Sequence, residues 1–245
     1  MGAQVEQERD TNAASGLVTM TGSGDHFISG GDFSNAGTVS IGIGEIVNTG
    51  LFNYNQNAGL TTVNTGGTLR ATTVNLNGGK IIGGGSLDGN LVVDGGTLSP
   101  GDPQNFTVTG NYDQTLLGIL DLDFLDELNF DRLIVGGDAT LNGTLNLTLE
   151  PGFNAAVGST FLSVVSWGGL LSGNFANFTN FTFHGGTRGF QEIFNTNGRQ
   201  IDLKVVDLTS NAVPEPSTLL MVFSALLLGA AVTWRTRRGK AGLVK

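Results

Sequence analysis

The sequence predicts an all-β body, a right-handed parallel β-helix (β-solenoid), followed by one transmembrane helix at the carboxyl end. Three observations predict it. Short runs alternating apolar with polar residues recur as far as Val206. Glycine, 39 of 245 residues, sits just ahead of many of them. The longest uncharged apolar run, Leu219–Trp234, lies between a Pro-Glu-Pro motif and a basic tail.

The elements follow in order. Residues 1–34 form an amino-terminal segment that is polar and acidic at its start. Residues 35–206 form the β body. There a turn-then-strand phrase recurs: Asn35-Ala-Gly-Thr-Val-Ser-Ile41, Asn57-Ala-Gly-Leu-Thr-Thr-Val63, Asn77-Gly-Gly-Lys-Ile-Ile82. Glycines at 37, 50, 59, 67, 79 and 96 precede strands at uneven spacing. Thr72, Val74 and Leu76 share one parity, as do Leu120, Leu122 and Phe124. Leu141, Leu145, Leu147 and Leu149 do so too, and so do Ile201, Leu203 and Val205. Period two puts each set on one face of a strand. No segment before Leu219 sustains a helical period.

Two architectures accommodate such strands. Asn-Gly and Gly-Gly pairs suit hairpin turns, which favours an antiparallel β-sandwich as the alternative. The return of Gly66-Gly-Thr-Leu69 as Gly95-Gly-Thr-Leu98 suits like strands stacked about 4.8 Å apart in a solenoid. Asn residues at equivalent corners are then placed to form side-chain ladders. The phrases Gly96-Thr-Leu-Ser-Pro-Gly101, Val108–Gln114, Gly118–Leu122 and Asp131–Gly143 resemble the β-helical passenger of bacterial autotransporters. That resemblance spans about residues 80–206 and implies a fold only. The alternating strands of an autotransporter barrel do not follow, so its translocation mechanism is not carried over. Over 150–200 phenylalanine becomes frequent (Phe153, Phe161, Phe175, Phe178, Phe181, Phe183, Phe190, Phe194). These rings are expected to cap the stack; a carbohydrate-stacking surface is the alternative.

Residues 207–218 form a linker ending in Val213-Pro-Glu-Pro-Ser217. Pro214 and Pro216 fix φ and favour extended neighbours, so Glu215 is presented on a stiff stalk. Residues 219–234 are uncharged. As a helix they span roughly 24 Å, short of the roughly 30 Å hydrocarbon core. Trp234 suits the interface. Residues 235–245 carry Arg235, Arg237, Arg238 and Lys240, a basic stop that places the carboxyl terminus in the cytoplasm. Motif, helix and arginine cluster in this order resemble the PEP-CTERM sorting domain over about residues 213–240. The resemblance implies a Gram-negative bacterium and export by the general secretion route. It also implies cleavage near the motif by a membrane-embedded exosortase, and association with exopolysaccharide in a biofilm. Such a protein needs an amino-terminal signal peptide, which Met1–Asp10 does not supply. The expectation is therefore that translation starts upstream.

Charge and chemistry narrow the function. Residues 1–212 hold seven Lys/Arg and twenty Asp/Glu, so the body is strongly acidic and is expected to repel nucleic acid. There is no cysteine, which excludes disulfides and thiolate metal sites. His26 and His184 are far apart and nominate no triad. Asp121, Asp123, Asp126, Glu127 and Asp131 crowd one stretch. Asp121 and Asp123 share a strand face, as calcium ligands or a glycoside-cleaving pair would. A solvated strand face is the plainer reading. The expectation is thus a non-enzymatic protein without cofactor or metal. It is tethered to the membrane during sorting and then structural or adhesive at the surface. The alternative is a secreted enzyme acting on polysaccharide.

Overall fold

The computed structural model describes residues 4–6, 11–20, 24, 26–101 and 103–209. The expected motif at 213–217, the 219–234 helix and the 235–245 tail lie outside these residues. Among the described residues all regular structure is β-strand. The strands are β1 (Gln4–Glu6), β2 (Thr11–Asn12), β3 (Leu17–Met20), β4 (His26–Ile28), β5 (Phe33–Asn35), β6 (Thr38–Ile41), β7 (Ile46–Asn48), β8 (Tyr54–Gln56) and β9 (Leu60–Val63). Next come β10 (Thr68–Leu76), β11 (Lys80–Gly83), β12 (Ser86–Val93), β13 (Thr97–Pro100), β14 (Asn105–Val108), β15 (Tyr112–Gln114), β16 (Ile119–Phe124) and β17 (Arg132–Val135). The last are β18 (Ala139–Leu141), β19 (Thr144–Leu149), β20 (Thr160–Trp167), β21 (Leu171–Gly173), β22 (Asn177–Thr179), β23 (Thr182–Phe183), β24 (Arg188–Asn195) and β25 (Gln200–Asp207).

Pairing runs along three parallel lines. The first joins β1, β4, β7, β10, β12, β14, β17 and β20. The second joins β2, β5, β8, β10, β12, β15, β18 and β21. The third is a separate sheet of β3, β6, β9, β11, β13, β16, β19 and β22. The long strands β10 and β12 run through both of the first two lines and fuse them into one sheet. Residues before Asn35 already take part, through β1 to β5.

Alternation explains the core. In register, Phe27, Val47, Leu69, Leu87, Val108, Val135 and Trp167 form one inward column, all buried. Val39, Thr61, Ile81, Leu98, Leu120 and Leu145 form another. Each such apolar side chain contributes about 1.5–3 kcal/mol on burial. The parities of Leu120, Leu122 and Phe124 and of Ile201, Leu203 and Val205 are those expected from the sequence. Thr72 is a correction, since it is exposed while Val74 and Leu76 are buried. The β10–β12 register shifts between Arg70 and Thr73, and one extra residue exchanges the two faces.

Two further expectations change. Leu69 and Leu98 do not stack, because they belong to different sheets. Nor are the Gly-Gly and Asn-Gly pairs of the parallel region hairpin turns, although Gly185-Gly186 and Asn197-Gly198 do close the antiparallel β23–β24 and β24–β25 hairpins. Gly66-Gly67 and Asn77-Gly78 connect strands of different parallel lines, which removes the antiparallel sandwich for this region. One glycine class has a clear cause. Gly37, Gly59 and Gly79 occupy equivalent connections, and their carbonyls accept from the amides of Leu60, Lys80 and Thr97 at 2.9, 2.9 and 3.0 Å. A Cβ on Gly59 would lie 2.1 Å from the Gly37 carbonyl oxygen, and its φ is +71°. Only glycine meets both demands.

The carboxyl end of the body is antiparallel. β25 pairs with β20 on one side and β24 on the other, and β23 meets the start of β24. Beneath this layer the ring centroids of Phe124 and Phe161 lie 5.0 Å apart, and those of Phe153 and Phe183 lie 5.1 Å apart. Phe190 touches both pairs. Most of the expected aromatic residues therefore pack on one another, and Phe178, though 42% exposed, lies 4.8 Å from the Phe181 ring.

Candidate functional site

The acidic stretch divides into separate tasks. Alternation in β16 sends Leu120, Leu122 and Phe124 inward and Asp121 and Asp123 to the other face. Asp121 Oδ1 accepts from Asn146 Nδ2 at 2.6 Å and from Thr148 Oγ1 at 2.9 Å, both on neighbouring β19. Asn146 Oδ1 in turn accepts from Asn180 Nδ2 at 3.0 Å and from the Thr179 hydroxyl. Asp131 goes elsewhere and is fully buried. Its Oδ1 accepts from the Gln104 amide at 2.6 Å and its Oδ2 from the Asp123 amide at 3.0 Å. Asp126 closes its own turn by accepting from the amides of Leu128 and Asn129 at 2.8 and 2.9 Å. The Asn129 side chain and these amides hold its carboxyl below the usual range. Glu127 accepts from the Ser159 hydroxyl at 2.5 Å. Asp121 thus ties β16 to β19 while Asp126, Glu127 and Asp131 organise loops, and among the described residues no group of three metal-ligating side chains converges. His26 lies in β4 and His184 in the turn before β24, with φ of +54°.

A pattern that no single motif displays appears in the connections. From β11 onward, those from the third line to the first lengthen along the chain: 84–85, 101–104, then 125–131, then 150–159. The last two are the longest connections among the strands. At the 101–104 connection and the shorter ones before it lies an open groove of about 610 Å³ lined by Ile43, Thr62, Asn64, Thr65, Ile82 and Gln104. Thr65 Oγ1 donates to Gln104 Oε1 at 2.6 Å. A second concavity of about 460 Å³ lies between the two longest loops, with Leu128 and Asn154 in its wall. Sequence reading missed this side of the molecule, because strand register is what lines the loops up.

The sorting signal is carried by sequence alone. Residues 212–238 match the family described as the PEP-CTERM protein-sorting motif. The match begins one residue before Val213 and takes in Pro214, Glu215, Pro216, Ser217, Arg235, Arg237 and Arg238, ending short of Lys240. No curated protein matches the chain. The PEP-CTERM motif implies a protein sorted through its carboxyl end, processed by exosortase and exported. Among the described residues, no helix is long and apolar enough to cross a membrane. The expected span at 219–234 falls outside them.

Proposed function

We propose that this chain is a non-enzymatic structural or adhesive protein of a Gram-negative cell surface or biofilm matrix. Its body is a right-handed parallel β-helix delivered by the sorting motif. Exosortase recognises Pro214-Glu215-Pro216 while the 219–234 helix holds the chain in the membrane and Arg235, Arg237, Arg238 and Lys240 stop transfer. The observation that carries the reading is the motif match at 212–238, which begins just after β25 ends at Asp207. The β-helix reading is supported by strands that visit three parallel lines in turn. Right-handed crossovers are the rule for such connections. An adhesive role, with exopolysaccharide as partner, is supported by insertions gathered on one side of the strand lines, the usual mark of a binding face in repeat architectures. Neutral hydroxyl and amide groups in the adjoining groove suit a sugar chain.

The test is intact mass of the protein from membranes and from medium, in cells with and without Glu215→Ala. The reading requires a trimmed carboxyl end in the medium that the substitution abolishes. An untrimmed wild-type chain, or trimming indifferent to Glu215→Ala, removes it.

A further inference from the structure

The outermost strand of the carboxyl-terminal layer is built like an interface held open by one carboxylate. β24 pairs with β25 along all eight residues. On its other side β23 reaches only Arg188 and Gly189, and Phe190 N donates to Phe181 O at 2.9 Å. From Gln191 to Asn195 that edge has no backbone partner among the described residues. Opposite residues in an antiparallel pair share a face. Phe190, Glu192 and Phe194 therefore lie on the face of Val205, Leu203 and Ile201, which are buried, while Phe194 at the open end of the row is exposed. Glu192 is the one charge in that apolar row, and its Oε1 is buried without a hydrogen-bond partner.

We propose that the Gln191–Asn195 edge pairs with the same edge of a second copy of this chain, and that ionised Glu192 opposes the pairing. Antiparallel pairing about a twofold axis is self-complementary, so one edge serves both partners. Centred on Ile193, it sets Glu192 of each copy against Phe194 of the other and withdraws both carboxylates from water. Inward charges on edge strands are a known defence against such pairing. The outward residues Gln191, Ile193 and Asn195 carry no charge to repel a partner.

Few titratable groups face Glu192. β23 carries none. On β25 its neighbours Ile201, Leu203 and Val205 are apolar, Asp207 shares the face at the far end opposite Arg188, and Asp202 and Lys204 alternate to the other side. Arg188 on its own strand is engaged with Asn154 and the Ala155 carbonyl. Burial alone pushes the Glu192 carboxyl up to about 7. Pairing is accordingly favoured in mildly acid surroundings.

The chain has no cysteine, so Ile193→Cys gives a single spin-label site in the full-length protein. Labelled protein in detergent is compared at pH 5.5 and pH 8, with Leu51→Cys, on a distant exposed turn, as the control site. The expected result is a short inter-copy distance, consistent with strands about 4.8 Å apart, for Ile193→Cys only. Association is expected to be about tenfold or more tighter at the lower pH, and Glu192→Gln is expected to associate equally at both. Absence of inter-copy proximity at either pH overturns the proposal. So does equal proximity at the Leu51 site, which means association through another segment. A Glu192→Gln chain with the pH response of the parent also overturns it.

Discussion

Asn35 Nδ2 donates to Gln56 Oε1 at 2.9 Å with both side chains wholly buried. Asn35 Oδ1 accepts from Asn12 Nδ2 at 2.8 Å, so three amides stack through adjacent strands of the second line. Asn35 also receives the Gly37 amide at 3.0 Å, and Thr61 joins the network from the facing sheet. In the next two strands the same column becomes Leu76 and Val93. The amides therefore act as register marks in a stack whose apolar positions are interchangeable.

Asn35→Ala is expected to destabilise the body by about 2–4 kcal/mol, because it strands buried partners on both sides. The double substitution Asn35→Leu with Gln56→Leu extends the apolar column and is expected to cost less than the sum of the single changes. Urea unfolding of the four proteins measures the coupling. Strict additivity counts against the network acting as a unit.

Gly59→Ala and Gly44→Ala separate backbone conformation from close approach. Both glycines have positive φ, +71° and +75°. Nothing lies within 4 Å of a Cβ placed on Gly44, whereas on Gly59 it meets the Gly37 carbonyl oxygen. The Gly44 change is expected to cost about 1–2 kcal/mol, the ordinary left-handed penalty. The Gly59 change is expected to cost clearly more, since adjacent strands must move apart. Equal losses in thermal or urea unfolding would contradict the close stacking.

Strand identity was legible in the sequence because period-two patterning is local. Leu120, Leu122 and Phe124 announce their face within one strand. Which strands meet is not local. The six glycines that look alike in sequence divide between connections, with Gly37, Gly59 and Gly79 at one and Gly67 at another. An Asn pair at equivalent corners, as expected, joins Asn77 to Asn57, and a second joins Asn75 to Asn55 within the strands. The buried Asn12–Asn35–Gln56 stack is not legible in the sequence, since hydrophobicity patterns assign amides to surfaces. Proximity in the chain groups Asp131 with Asp121, whereas folding places it in the interior.

Asp131 fastens two connections by holding the amides of Gln104 and Asp123. Asp131→Ala leaves both part-buried amides without this acceptor, a loss of about 1–3 kcal/mol. Hydrogen exchange at those two amides is expected to speed up more than at Asn35, which lies on β5, many strands away. Uniform acceleration across the body would instead indicate a global effect.

Glu192 gives the body a stability profile opposite to that of most carboxylates. Its folded value is raised from 4.5 to about 7 by burial. Between those values the folded chain holds a proton that the unfolded chain releases, so stability falls as pH rises through this window. The contribution is fully present below 4.5 and lost above 7. Asp88 and Asp126, whose values are lowered by hydrogen bonds, act with the opposite sign and only at more acid pH. The carboxylate keeps some solvent contact, which reduces the size of the effect but not its direction. Urea midpoints measured at low protein concentration, where copies do not associate, are expected to decline from pH 5 to pH 7.5. Glu192→Gln removes the titrating proton and is expected to flatten that decline. If the variant keeps the slope of the parent, some other group is titrating.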